Sequence, residues 1–439
     1  MQRLTDVTQR VSGWFSGRGH SRRVIAPTPA PPADPAVEEQ QALANGAAAS
    51  ISGLDGVQAD AGVPENHQLL INAFDAAHPV ARRRELRGRE EQLEALFDGV
   101  LSQRKHAIIH GARGSGKTSL VRVFADHADR QGVVLIYLAC DAHSDFVSLM
   151  RPFIRFVPSG NIPVGRERAF RAEVKSLGTN FGPRALVSLL LELAPKPIIF
   201  ILDEFDRVTD HGVQDAIATT MKLLSDAKAP AQLLVVGIAQ SVTELIEHHP
   251  SLRRHMTAVS VGRIADGEIA RLLDEGAERA RIAFNSAGRN LLVRAAAGSP
   301  YHARLFAYHA GFEAMERGQT QVDLALARAG LRRATEEWSR VNEQDHALFE
   351  RLIDTDAGSR ARLMEVATLA ARDKDMSLDR LDTEAARALR TLSPALEGDS
   401  ALCRFRDSLA AQFFIAMLLT SEPGADVAPR MHADLREQG

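Results

Sequence analysis

The sequence predicts an α/β fold in which a parallel sheet of about five strands carries helices on both faces, followed by a helical lid and a C-terminal winged-helix-like domain. Three observations lead to this prediction. Five short apolar segments alternate with helical segments, a glycine-rich turn joins one of them directly to a helix, and another ends in two carboxylates. Strands separated by helices are typical of a parallel sheet that is covered on both faces.

The composition excludes several classes of protein. The 53 basic and 56 acidic residues nearly balance, so nucleic acid would have to bind to a local patch. Two cysteines, Cys140 and Cys403, are too few for a disulfide scaffold or a four-thiolate zinc site. No signal-peptide core opens the chain, and no apolar run approaches the roughly 18–20 residues of a membrane helix. We therefore expect a cytoplasmic protein without membrane insertion.

Residues 1–65 are predicted to form a disordered tether. Prolines cluster between Ala26 and Pro32, and Ala, Gly and Ser dominate the chain to about Pro64. Such a segment buries too little apolar surface to offset its ordering entropy. The alternative is a short helix whose Trp14-Phe15 end, with its neighbouring arginines, docks on a partner or an anionic surface.

A phosphate-binding loop is predicted where the first apolar segment, 106–110, meets a helical segment, 119–128. The intervening residues match G-x-x-x-x-G-K-[ST], a pattern whose backbone N–H groups and helix N-terminus surround phosphate oxygens. Lys117 is predicted to contact the β- and γ-phosphates of ATP, and Thr118 to offer its hydroxyl to Mg²⁺. The predicted nucleotide-binding residues are Gly111, Ala112, Arg113, Gly114, Ser115, Gly116, Lys117, Thr118 and Ser119.

A second apolar segment, 197–202, ends in two acids that predict hydrolysis as well as binding. Asp203 is expected to hold Mg²⁺, and Glu204 to polarise the attacking water. Further strands are predicted at 133–139, 231–237 and 257–261. The first of these lies between the two nucleotide motifs in the chain.

The fourth predicted strand is followed by Gln240 and Ser241, and either of them is a candidate to sense the γ-phosphate. Ser241 is equally suited to cap the next helix. Before the fifth strand, Arg254 is the first candidate, and Arg253 the second, for an arginine that completes the catalytic site of an adjacent subunit. The alternative for both arginines is a solvated basic helix end.

Residues 265–335 are predicted to form the helical lid. The turn Gly298-Ser299-Pro300 is placed to bring the lid backbone against the nucleotide, and Arg304 is a candidate to reach the γ-phosphate. A surface position on an amphipathic helix is the alternative for Arg304. A contact of this kind across two domains would convert phosphate loss into motion.

Residues 336–439 are predicted to form the winged-helix-like domain, with helices followed by a short strand pair. This segment has 13 Arg or Lys residues and 20 Asp or Glu residues. Its acidic balance argues against strong binding to a DNA backbone. We expect it to pack on the ATPase core or on a partner instead.

Together these motifs resemble the AAA+ P-loop ATPases of the origin-recognition-complex-like group, whose bacterial members have uncertain roles. The resemblance covers residues 70–335 and extends to the motif Leu86–Glu91. It implies an ATPase core at 66–264 that couples nucleotide state to assembly or remodelling of a protein or DNA partner. We expect self-association from the position of Arg253 and Arg254, and only weak DNA binding because residues 336–439 are acidic. The glycine–proline turn is similar instead to STAND signalling ATPases, so a nucleotide-gated switch is the alternative, and a replication-initiator-like ATPase is another.

Overall fold

The computed structural model describes residues 65–80, 82–178, 180–237, 250–372, 376, 381–398 and 403–421. The described chain divides into two compact units. The first comprises residues from 76 to 268, and the second comprises 65–75 together with the described residues from 269 onward. Residues 1–64 of the predicted tether, Gln240 and Ser241 lie outside the described residues, whereas Glu65, the last residue of the predicted tether, begins a helix.

The first unit is built on the predicted five-stranded parallel sheet. Its strands are β1 (His106–Gly111), β2 (Val134–Ala139), β3 (Ile198–Asp203), β4 (Ala231–Gly237) and β5 (Met256–Val261). Their order in the sheet is β2-β3-β4-β1-β5, and every neighbouring pair is parallel. The predicted α/β fold class is therefore confirmed. Because β4 lies between β1 and β3, the two predicted nucleotide motifs follow strands that are separated by one strand.

Helices cover both faces of this sheet. Along the chain, α1 (Glu65–Ala73) comes first and belongs to the second unit. The helices of the first unit are α2 (Glu90–Leu96), α3 (Lys117–Arg130), α4 (Phe146–Arg155), α5 (Glu167–Ser176), α6 (Pro183–Leu190) and α7 (His211–Asp226). α2 continues into a π-helical turn, Phe97–Ser102.

β3 shows why the sheet needs helices on both sides. All six of its residues are buried. Phe200 and Leu202 belong to a core with helices α4 to α7, whereas Ile199 and Ile201 belong to a core with α2 and α3. Neighbouring residues of a strand point to opposite faces, so an uninterrupted apolar strand requires an apolar layer on each side.

The second unit is mainly helical. Its further elements are α8 (Asp266–Ala280), β6 (Ala283–Phe284), α9 (Ser286–Ala296), α10 (Pro300–Glu316), β7 (Gln321–Val322), α11 (Leu324–Ser339), α12 (Glu343–Ile353), α13 (Ala357–Arg372), α14 (Thr383–Thr391), β8 (Leu396–Gly398), β9 (Cys403–Phe405) and α15 (Ala410–Ser421). β8 and β9 form an antiparallel pair, and Met376 bridges to Cys403 on the other side of β9.

The core of this C-terminal region is aromatic. Trp338 stacks on Phe413 with ring centroids 4.9 Å apart, and Phe349 lies 4.4 Å from Phe414. The helices and the strand pair that were expected after residue 336 are present. The description of this part as a winged-helix-like domain, with the boundaries given above, stays a prediction. In the described part of the chain, no helix has the length and apolar character needed to cross a membrane.

Candidate nucleotide-binding site

The loop between β1 and α3 has the backbone geometry of a phosphate cradle. Gly114 and Gly116 adopt left-handed φ angles of 71° and 94°, which residues with a Cβ atom rarely adopt. At Gly111, an added Cβ would lie 2.2 Å from the carbonyl oxygen of Val261. α3 begins at Lys117, directly after the loop, and the N–H groups of its first turn have no acceptor within the helix. The loop therefore presents donors and a positive dipole end to an anion.

Lys117 lies against this loop. Its ammonium group donates hydrogen bonds to the carbonyl oxygens of Gly111 at 3.1 Å and Ala112 at 3.0 Å. Burial lowers the pKa of Lys117, and the nearby carboxylates of Asp206 and Asp203 oppose that effect. The positive charge is thus held where solvent screens it less than at an open surface.

Asp203 joins the two predicted motifs. It ends β3, and only 4% of it is exposed. Its Oδ2 atom accepts a hydrogen bond from the hydroxyl of Thr118 at 3.1 Å, and its Oδ1 atom accepts one from the N–H of Glu204 at 2.8 Å. A hydroxyl and a carboxylate in contact at the start of a helix are the oxygen ligands that Mg²⁺ prefers. These residues therefore fit a nucleotide-bound Mg²⁺ ion.

Ser115 also lies in the loop and, like the loop N–H groups, is a hydrogen-bond donor suited to an anion. Its Oγ atom is buried and has no hydrogen-bond partner among the described residues. A buried polar atom without a partner costs about 1–3 kcal/mol. A hydroxyl donor in a phosphate-binding loop would regain such a partner when an anion is present.

Tyr137 is a site residue that the sequence reading missed. It lies on β2, beside β3, and its hydroxyl donates a hydrogen bond to Oδ2 of Asp203. Its pKa is raised by burial first, and then by the charge of Asp203 and the hydrogen bond to it. The phenol therefore stays protonated and acts as a donor. No sequence motif marks this position, because the contact depends on the register of two parallel strands.

Glu204 is paired with Arg207. Glu204 adopts a left-handed conformation, with φ 55°, at the start of a 3₁₀ turn that spans Phe205–Arg207. Its Oε2 atom lies 3.0 Å from Nη1 of Arg207, and both side chains are about half exposed. Exposed ion pairs of this kind contribute at most about 1 kcal/mol. The sequence analysis did not predict this contact between Arg207 and Glu204.

Arg89 links the phosphate-binding loop to the end of β5. Its guanidinium group is buried and donates to the carbonyl oxygens of Ser115, at 3.0 Å, and of Gly262. Burial lowers the pKa of Arg89 to about 10, and the charge of Arg263 adds to this effect. The residue remains charged at neutral pH. Arg89 therefore stabilises the loop backbone through its carbonyl oxygens. The sequence motif around Arg89 did not predict these contacts.

The remaining predicted residues lie apart from this cluster. Arg253 and Arg254 end a short 3₁₀ segment before β5 and are exposed. Because β5 is parallel to β1, they lie at the amino edge of the sheet, opposite the phosphate loop. Ser119 accepts a hydrogen bond from the N–H of Val80 through its side chain.

Arg304 belongs to α10 in the second unit, where its Nη1 atom lies 3.5 Å from the carbonyl oxygen of Asp75. The turn that precedes α10 has a local structural role. Gly298 adopts a φ of 76°, Ser299 caps the helix, and Pro300 is its first residue. A proline at this position suits a helix start. The proposed contacts of this turn and of Arg304 with nucleotide stay predictions.

Residues 79–236 match the model of the family described as AAA ATPase domain. This segment includes the phosphate loop, Asp203, Glu204 and almost all of the first four strands. No match is found among curated protein sequences.

Three solved structures show similar folds. Cdc6p from Pyrobaculum aerophilum is 16% identical, with 80% of this chain and 97% of that chain covered and a TM-score of 0.46. The ORC2 protein of Aeropyrum pernix is 15% identical, with 80% and 97% covered and a TM-score of 0.44. The RuvB Holliday junction branch migration motor of Thermotoga maritima is 12% identical, with 75% and 96% covered and a TM-score of 0.40.

Proposed function

We propose that this protein binds ATP with Mg²⁺ and hydrolyses it. The observation that carries the proposal is the hydrogen bond of 3.1 Å between Thr118 and Asp203. It brings the end of β3 to the first turn of α3, so that the predicted metal ligands from two distant parts of the sequence share one site. The match to the AAA ATPase domain supports the same activity.

Each residue has a defined task in this proposal. The loop N–H groups and Lys117 bind the β- and γ-phosphates, while Thr118 and Asp203 hold Mg²⁺, which neutralises charge on the phosphates. Glu204 orients a water molecule and accepts its proton as the oxygen attacks the γ-phosphorus. The bond to the bridging oxygen breaks, and ADP and inorganic phosphate are released. Because Arg207 holds Glu204 in an ion pair, the carboxylate has to leave this partner before it can act.

Two substitutions separate binding from hydrolysis. Lys117→Ala removes the cation at the loop and should abolish ATP binding in calorimetry. Glu204→Gln keeps the shape of the side chain but cannot accept a proton, so it should bind ATP and fail to release phosphate. Arg130→Ala is the control, since Arg130 ends the same helix and, within the described part of the chain, forms its ion pair with the exposed Asp126. Undiminished ATP affinity in the Lys117 variant would exclude the phosphate-loop assignment.

We further propose that ATP turnover is coupled to self-association and to a partner, more plausibly protein than DNA. The acidic balance of residues 336–439 supports this preference. Arg254, at the amino edge of the sheet, is the candidate that completes the site of an adjacent subunit. Mixing Arg254→Ala protein with Glu204→Gln protein should restore part of the ATPase activity if subunits share sites. A mass that is unchanged in saturating ATP would contradict self-association.

Measuring DNA binding tests whether the partner is DNA and not protein. We expect affinity that is weak, not sequence-specific and steeply dependent on salt. Fluorescence anisotropy with the full chain and two unrelated duplexes, at low and near-physiological salt, measures each property. Tight binding that distinguishes the duplexes would favour the replication-initiator-like function instead.

A further inference from the structure

A cavity in the first unit lies at the amino edge of the sheet. It has a volume of about 570 Å³ and is lined by the turns that precede β1, β4 and β5. The phosphate loop follows the other end of β1, which has six residues. At about 3.3 Å per residue, the two ends of β1 are about 17 Å apart. The cavity, which we call the amino-edge pocket, is therefore distinct from the candidate nucleotide site.

Four cationic residues line the amino-edge pocket. Arg104 and Lys105 precede β1, Lys228 follows α7, and Arg254 precedes β5. None of the lining residues is Asp or Glu. Among the described residues, no hydrogen bond or ion pair engages the side chains of these four cations. Asp226 lies beside the pocket, where its Oδ1 atom is 3.6 Å from Nε2 of the lining His255. The four cations still outnumber this one acid, like charges in excess repel one another, and a bound anion would relieve that repulsion.

The walls of the pocket are held in place by buried polar contacts. The side-chain amide of Gln232 donates to the carbonyl oxygens of Val100 at 2.9 Å and Lys105 at 2.7 Å. His106 bridges the carbonyl oxygen of Met221 and the N–H of Leu233. These bonds fix the turns that carry the cations. The pocket is thus preformed, which lowers the entropy that a ligand would lose on binding.

The cations of the amino-edge pocket could be present only because cations at helix C-termini are favourable, but this explanation does not cover all four. Arg104 and Lys228 have left-handed φ angles of 57° and 52°, and each follows the last turn of a helix, where a cation interacts favourably with the helix dipole. Arg281 adopts the same conformation elsewhere, so the backbone geometry by itself does not indicate a ligand. Arg254 likewise ends a 3₁₀ segment. Lys105, however, directly precedes β1, and no helix end accounts for its position in the pocket.

The shape and lining of the pocket favour a small ligand over a nucleic acid. Ligand sites usually have volumes of about 300–1,000 Å³ and apolar walls with a few polar groups. Here the cations face a concave space that also has apolar side chains, among them Leu193, Pro195 and Pro230. Arginine and lysine are the residues that bind phosphate groups most effectively. We propose that the amino-edge pocket binds a small organic phosphate, with its phosphates on the cations and its organic part against the apolar wall.

The test uses the full chain with Lys117→Ala, which removes the lysine of the phosphate loop. Calorimetry with sodium tripolyphosphate and with ADP should detect binding of both probes, and the organic part should give ADP the higher affinity. Adding Arg104→Gln and Lys228→Gln should weaken both affinities at least tenfold. Lys222→Gln is the matched control, because Lys222 is an exposed lysine of α7 that does not line the pocket, and it should leave both affinities unchanged.

A second measurement needs no substitution. Acetylation of surface lysines, read by mass spectrometry, should show protection of Lys105 and Lys228 by tripolyphosphate while Lys222 reacts as before. Absence of binding, or an equal loss of affinity with Lys222→Gln, would overturn the proposal. It would also be overturned if the pocket substitutions lowered the unfolding temperature and left both affinities unchanged, because the cations would then only stabilise helix ends.

Discussion

His106 makes the stability of the sheet sensitive to acid. The residue opens β1 and is buried. Its Nε2–H donates to the carbonyl oxygen of Met221 at 2.7 Å, and its Nδ1 atom accepts from the N–H of Leu233 at 2.9 Å. Because Nε2 faces an acceptor and Nδ1 faces a donor, these two partners fix His106 as the neutral tautomer with its proton on Nε2. A proton on Nδ1 would place two donors against each other in the core.

The size of the effect follows from the pKa. Burial lowers the pKa of His106 from 6.5 to about 4, the hydrogen bond to Met221 opposes the shift, and the charge of His255 adds to it. Between these values the unfolded chain binds a proton that the folded chain does not, so the free energy of unfolding falls as the pH falls. At about 1.4 kcal/mol per pKa unit, the loss reaches about 2 kcal/mol at pH 5 and about 3 kcal/mol below pH 4.

The assay compares two variants. Urea unfolding at about pH 7.5 and about pH 5 is followed by amide exchange in the peptides that contain β1 and β4, because these peptides report on the sheet of the first unit and not on the second unit. His106→Gln should lose about 2 kcal/mol less on acidification than His143→Gln, whose parent residue is exposed. An equal loss in the two variants would refute the reasoning, since His106 would then contribute nothing to the acid sensitivity.

Three further predictions concern the candidate nucleotide site. Gly111→Ala places a methyl group 2.2 Å from a carbonyl oxygen, so urea unfolding should show a loss of about 3 kcal/mol or more, whereas Gly267→Ala, which meets nothing, should not. Tyr137→Phe removes a donor from the buried acid at the end of β3 and should lower unfolding free energy by about 1.5–3 kcal/mol; an unchanged value would mean that the hydrogen bond contributes nothing. Arg207→Ala frees Glu204, so phosphate release should rise by up to about fivefold, the limit for an exposed pair worth about 1 kcal/mol; a lower rate would place Arg207 in catalysis.

Much of the candidate nucleotide site was predictable because its residues are contiguous in the chain. The segment from Gly111 to Thr118 is one turn between a strand and a helix, so local sequence determines its conformation. Asp203 and Glu204 were found in the same way, because they stand at the end of an apolar strand. Local patterns also located the strands. The predicted strand at 257–261 begins one residue later than β5 does.

The sequence by itself therefore determined the fold class, the phosphate loop and the acidic strand end, because apolar periodicity and glycine spacing act over a few residues. Tertiary structure decided which strands are neighbours, and with that the contact of Tyr137 with Asp203 and the support of the loop by Arg89. It also brought Arg104 and Lys228, more than a hundred residues apart in the chain, to one pocket. Such contacts depend on the order and register of parallel strands. Those are set by the packing of whole layers, which no short stretch of sequence encodes.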